Sequence, residues 1–244
     1  MARYRQVASA ADWKSRTHRE GFMAKNRLYQ DDVLVIGLGR FGSEAALGLH
    51  RLGHKVVAIE KDPHIAESFS DRLNRVIVGD ASQPQIIEAR GTNSYKFAVI
   101  GIGSSVEASV LTAGNLVDAG IPSIWAKAVS YEHARILERI GVQHVVRPEV
   151  DSGRRVAHLV NGRLQDYIEF DDGYAIVKMS PPSEAIGFTL AQSAIRTRYG
   201  VTVVGVKAPG EDFTHAVPET KVTAKHTLIV SGPSELLEQL VGRP

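Results

Sequence analysis

Residues 33–42 read VLVIGLGRFG, an apolar run that ends in the spacing Gly37-x-Gly39-x-x-Gly42. Four apolar residues bounded by glycine predict a buried strand, and the glycines after it predict a tight turn into a helix whose N-terminus holds a diphosphate. Such a motif alone is common, but its setting strengthens it. Glu60 closes the next β-branched run, eighteen residues beyond Gly42, where dinucleotide folds place the acid that hydrogen-bonds ribose hydroxyls. A carboxylate there repels a 2′-phosphate, which disfavours NADP; Lys61 beside it weakens that exclusion slightly. Arg40 puts a guanidinium inside the loop, where it either adds to diphosphate binding or meets phosphates that extend past it.

Outward from this stretch, short β-branched runs alternate with helical patterns as a parallel sheet requires. Strands are predicted at 33–36, 55–59, 75–78, 97–102, 123–127 and 144–146. Gly53 stops the first helix, Asp62-Pro63 starts the second, Ser82-x-x-Gln85 and Ser104-x-x-Glu107 resemble capping boxes, and Gly91, Gly120 and Gly141 fall where later helices end. A crossover helix is predicted over 149–164. Beyond it come a strand at 175–179, a helix at 190–199, a strand at 201–207, a hairpin at Pro209-Gly210, a strand at 228–230 and a terminal helix. The fold class is therefore α/β, a Rossmann-like six-stranded parallel sheet followed by a crossover helix and a small α+β C-lobe. The expected divisions are a basic leader (1–30), a nucleotide-binding lobe (31–148), the crossover segment (149–166) and the C-lobe (167–244).

Composition narrows the function. The 244 residues are 43% hydrophobic and include no cysteine, so disulfides, thiolate nucleophiles and Cys-based zinc sites are excluded. No apolar run is long enough to span a membrane and no secretory signal is evident, so a cytoplasmic location is expected. Net charge is +2, with +5 in residues 1–30 and −3 in the rest, so the body is not a nucleic-acid binder by charge. The leader interleaves Trp13, Phe22 and Tyr29 with its cations, which suits an anionic surface, an acidic partner or simply a solvated terminus.

Ligands of open α/β sheets lie beyond the carboxyl ends of the strands. Those ends offer Asp80 and Ala81 after the third strand, Ile102 and Gly103 after the fourth, Lys127 closing the fifth and Glu149 after the sixth. Asp80 is placed either to accept from an adenine amino group or as an ordinary turn acid. Glu149 fits a divalent cation beside phosphates or simply the N-terminus of the crossover helix. Two readings follow, a site for a nucleotide whose phosphates extend past the diphosphate and an NAD-dependent oxidoreductase. The second lacks its apparatus: the C-lobe offers only His215 and His226 as bases, and Tyr95-Lys96 are adjacent rather than one helical turn apart.

The ordered set GLGRFG (37–42), IEKD (59–62), GDAS (79–82), IGIGSSVEAS (100–109), IWAKA (124–128) and GVQHVVRPE (141–149) resembles the RCK (regulator of potassium conductance) proteins, gating subunits of Ktr/Trk-type potassium uptake systems. The likeness extends from 33 to about 232 and is closest to Ktr-type subunits with one N-lobe and one C-lobe. It implies a non-enzymatic chain that binds ATP or ADP in preference to NAD, through Gly37, Gly39, Arg40, Phe41, Gly42, Glu60, Lys61, Asp80, Ala81, Ile102, Gly103 and Lys127. Arg40 would sense the terminal phosphate, and Glu149 would join a divalent-ion site, Mg or Ca, between nucleotides of paired subunits. The resemblance also implies dimers assembled into an octameric ring at the inner face of the membrane, where ring shape gates a potassium-translocating partner. Cyclic di-AMP is a candidate second ligand at Ile195, Arg196, Val201, Thr202, Val203, His215 and Pro218, which alternatively read as core and solvated surface. Thr202 stands where an amide is usual, Lys225-His226 where many relatives have Gly-Asp, and the leader has no counterpart.

Overall fold

The computed structural model describes residues 32–88, 95–160, 162–170 and 172–241. The leader and Gly91 lie outside them. The chain divides into two compact units that meet between Pro148 and Glu149.

The first unit runs β1 (Asp32–Ile36), α1 (Arg40–Arg51), β2 (Lys55–Glu60), α2 (Pro63–Ser68), β3 (Arg75–Val78), α3 (Pro84–Glu88), β4 (Tyr95–Ile100), α4 (Val106–Asp118), β5 (Ser123–Lys127), α5 (Tyr131–Ile140) and β6 (His144–Val146). Its six strands are all parallel, in the order β3-β2-β1-β4-β5-β6. Alternate residues of β1 serve opposite faces. Val33 and Val35 pack with Ala46 of α1, whereas Leu34 and Ile36 join a larger cluster with Ala113 and Leu116 of α4 and Leu137 of α5. Both faces of β1 are buried, which explains its continuous apolar run. Asp62 caps α2 by accepting from the His64 and Ile65 N–H groups, and Gly141 ends α5 at φ 110°. Ser105 rather than Ser104 caps α4, accepting from the Ala108 N–H (3.1 Å). β4 begins two residues earlier than expected and stops at Ile100, leaving Gly101, Ile102 and Gly103 in the loop.

The second unit contains α6 (Pro148–Leu159), β7 (Leu164–Glu169), β8 (Tyr174–Met179), a 3-10 turn (Ser183–Ala185), α7 (Leu190–Ser193), α8 (Ile195–Tyr199), β9 (Thr202–Lys207), β10 (Thr214–His215), β11 (Thr227–Pro233) and α9 (Ser234–Val241). The antiparallel sheet has the order β10-β9-β11-β8-β7 and packs one face on Ile195, Val201, Val222, Leu237 and Leu240. Two expectations are corrected here. The crossover helix stops at Leu159, and Leu164 instead begins β7, which sequence reading did not find. The helix expected over 190–199 is broken at Ala194, which adopts φ 51° and separates α7 from α8. A Cβ in that left-handed region costs about 1 kcal/mol, partly offset by glycine's greater unfolded entropy, so Ala194→Gly is expected to stabilise the protein by about 0.5 kcal/mol in urea denaturation. Among the described residues no helix is long and apolar enough to cross a membrane.

Candidate functional site

β1 and β4 are neighbours whose following helices cover opposite faces of the sheet, so the chain parts at their carboxyl ends and leaves a crevice. Gly37-Leu38-Gly39 and Gly101-Ile102-Gly103 border it. Three glycines here are required by the protein itself. Gly37 sits at φ +83°; a Cβ on Gly42 would lie 1.9 Å from the Gly37 carbonyl oxygen; one on Gly101 would lie 2.9 Å from that oxygen and from the Gly42 Cα. Gly39 is different. Its φ of −64° and ψ of −175° suit any residue, and a Cβ on it meets nothing within 4 Å. Nothing in the protein demands glycine at this position, yet the space beside it stands open at the N-terminus of α1.

That helix end is also unusually positive. Gly39 supplies no side-chain cap, the first turn contains no acid, and Arg40 is its first helical residue and exposed. A cation at the positive end of the helix dipole is unfavourable by about 0.3–1 kcal/mol, and an anion placed there reverses the sign. Phe41 behind it is half-buried.

Glu60 ends β2 with 9% exposure, and its two oxygens are held by backbone: the Leu38 N–H donates to Oε2 (2.5 Å) and the Asp62 N–H to Oε1 (2.9 Å). The acid therefore locks the glycine loop to the end of β2. A carboxylate has room for about four hydrogen bonds, so two sites remain for ribose hydroxyls. Asp80 has protein partners. Its Oδ2 lies 2.7 Å from Lys61 Nζ, and its Oδ1 accepts from the Ser82 N–H (3.1 Å) and Oγ–H (2.6 Å). Lys61 first, then Ser82, hold its carboxyl well below the usual range, at about 2. Ala81 is buried, and its carbonyl accepts from Asn115 Nδ2 (3.0 Å).

Ile102 is half-buried against the core. A Cβ on Gly103 would lie 3.3 Å from Lys127 Nζ and 3.6 Å from Val129, so the loop after β5 lies against the loop after β4. His133 holds that β5 loop, accepting on Nδ1 from the Val129 N–H (3.3 Å). Burial lowers its pKa, so the folded protein keeps it neutral. The unfolded chain takes up a proton below about pH 6.5 that the fold does not, so stability falls as pH drops through that value. Melting at pH 7.5 and 5.5 is expected to show a smaller acid loss in His133→Gln than in the wild type.

The first unit thus gathers Gly37, Gly39, Arg40, Phe41 and Gly42 on the first loop, Glu60, Lys61, Asp80 and Ala81 at the ends of β2 and β3, and Ile102, Gly103 and Lys127 on the other side. Glu149 belongs to the second unit, exposed in the first turn of α6. The seven C-lobe residues separate by environment. Ile195 and Val201 are core at 4% and 0% exposure, and Val203 packs on the same cluster, whereas Arg196, His215 and Pro218 are exposed and Thr202 half-exposed. Sequence reading missed Asn115, which reaches from α4 to the carbonyls of Ala81 and Ser82. Its signal was present: Asn115 lies three residues after buried Thr112, an amide on the core side of an apolar helix.

Fold and crevice together define a Rossmann-like α/β lobe joined to a small antiparallel lobe. The sequence matches the TrkA-N domain over residues 33–148 and the TrkA-C domain over 174–241. It is 30% identical to Ktr system potassium uptake protein C of Bacillus subtilis, over 82% of this chain and 91% of that protein, and 28% identical to Ktr system potassium uptake protein A of the same organism, over 84% and 93%. The chain belongs to the TrkA/RCK family of potassium-regulatory proteins, close to the Ktr-type subunits. Membership makes it a regulatory chain and not an enzyme. Among solved structures, the GsuK channel bound to NAD matches with a TM-score of 0.61 at 19% identity, over 88% of this chain but 40% of that one, so this chain spans less than half of that channel.

The NAD on that channel corrects one expectation: NAD does not rank below ATP and ADP. The residues agree with the correction. An acid at the end of β2 would meet ribose hydroxyls that NAD and ATP share, and the missing hydride-transfer residues bear on turnover, not on binding.

Proposed function

We propose that this chain is the nucleotide-reading regulatory subunit of a Ktr-type potassium uptake system. It binds a nucleotide with a free ribose in the crevice between β1 and β4, with the phosphates at Gly39 and Arg40. It works at the cytoplasmic face of the membrane as a homo-oligomeric ring joined to a potassium-translocating subunit, and nucleotide binding alters the ring to gate that partner. The names of the Ktr relatives support the partner and the transported ion. The observation that carries the ligand is the open space at Gly39, bordered by a helix end with a cation and no acid.

Arg40→Ala tests the site. Loss of a charge-assisted hydrogen bond of about 1.5–3 kcal/mol weakens phosphate-bearing ligands at least tenfold. Removing a cation from the positive helix end raises the melting temperature of the ligand-free protein slightly or leaves it unchanged. Undiminished affinity overturns the assignment. Light scattering tests the assembly: species larger than a dimer are expected, and a strict monomer at micromolar concentration, with and without nucleotide, contradicts gating by a ring.

A further inference from the structure

Lys61 directly follows the ribose acid Glu60, and its side chain is 77% exposed. A free cation beside this strand end is what a 2′-phosphorylated ribose recruits. Here the cation is engaged, because Lys61 Nζ lies 2.7 Å from Asp80 Oδ2. Asp80 is in turn fixed from the other side. Its Oδ1 accepts twice from Ser82, and Asn115 of α4 anchors that turn through the carbonyls of Ala81 and Ser82 (3.0 and 3.1 Å). One carboxylate oxygen thus serves the turn and the other holds the lysine. Glu60, Lys61 and Asp80 together carry −1 at the nucleoside end of the crevice; with Asp80 neutral they would carry zero and a released ammonium.

We infer that Asp80 is a specificity-determining residue, which by holding Lys61 keeps the site for nucleotides whose ribose 2′-hydroxyl is unphosphorylated. This rests on the nucleotide reading of the crevice. Asp80 is more than an acid that repels: it withdraws a cation placed to meet a 2′-phosphate at the end of β2. NAD and NADP differ only by that phosphate, so their affinity ratio isolates the effect from any change at the base or the diphosphate.

Calorimetric titration of the full chain with NAD and NADP tests it. The wild type binds NAD more tightly, Asp80→Asn shifts the ratio toward NADP by roughly tenfold or more, and Asp80→Asn combined with Lys61→Ala restores the wild-type ratio. If Asp80→Asn does not fold, Asp80→Ser, which keeps an acceptor for Ser82, gives the same shift. An unchanged ratio in the folded single variant overturns the inference, as does a shift that survives Lys61→Ala, since mere loss of a repelling charge then explains it. A wild type that binds NAD, NADP and AMP not at all fails differently: it removes the nucleotide reading on which the inference rests.

Discussion

Gly42→Ala is expected to lower the unfolding free energy by about 3 kcal/mol and to abolish nucleotide binding. The added methyl would stand 1.9 Å from the Gly37 carbonyl oxygen, and neither neighbour yields easily. The Gly37 N–H donates to the Ile59 carbonyl (2.8 Å), and the next residue, Leu38, is tied through its N–H to Glu60. Gly101 crosses the same point, with its own N–H on the Ile36 carbonyl (2.7 Å). Relief requires α1 to lift from the ends of β1 and β4, which spoils its core contact through Ala46 and displaces the N–H groups proposed to hold phosphates. Urea denaturation reads the first effect and titration the second. An unchanged midpoint would refute the close crossing of α1 with the two strand ends.

Gly39→Val is expected to separate what Gly42→Ala confounds. The backbone at Gly39 suits valine and no atom lies within 4 Å of the new Cβ, so stability stays within about 0.5 kcal/mol of the wild type. The side chain instead enters the space beside the α1 N-terminus. Overpacking of about 1–3 kcal/mol against a bound diphosphate corresponds to a roughly tenfold to hundredfold loss of affinity. Two glycines of one motif, three residues apart, are thus expected to serve different ends: Gly42 permits the fold, and Gly39 leaves room for a ligand. Equal affinity in Gly39→Val would show that the open space is not the ligand's.

The first unit was legible because local and long-range signals agree there. Its central strand β1 is buried on both faces and reads as an apolar run, its glycines and its Asp62 cap punctuate the pattern, and Glu60 falls at the required distance. The second unit hid more. In β7 the pairing with β8 shifts register between Leu164 and Asp166, so buried Leu164 and Tyr167 stand three apart and imitate a helical spacing. The break at Ala194 was invisible because alanine is the strongest helix former, and tertiary contacts overrule it. The place of Glu60 at the end of β2 was legible from spacing, but its two backbone donors and the partnership of Lys61 with Asp80 depend on side-chain directions that no spacing encodes. The C-lobe set mixed two environments for the same reason. Ile195 and Val201 face the core while their neighbours Arg196 and Thr202 do not. The ranking of NAD below ATP and ADP failed because free ribose hydroxyls are common to both nucleotide classes.

The central claim, that the crevice between β1 and β4 is the ligand site of a potassium-regulatory subunit, meets its most direct test in one calorimetric experiment. NAD, AMP and ATP are titrated separately into the wild type and into Gly39→Val, with melting curves recorded for both proteins. The account predicts that at least one nucleotide binds the wild type at micromolar or tighter affinity, that Gly39→Val weakens it tenfold or more, and that the two ligand-free proteins melt together. Nucleotide binding of equal strength in both proteins, or none in the wild type, would contradict it.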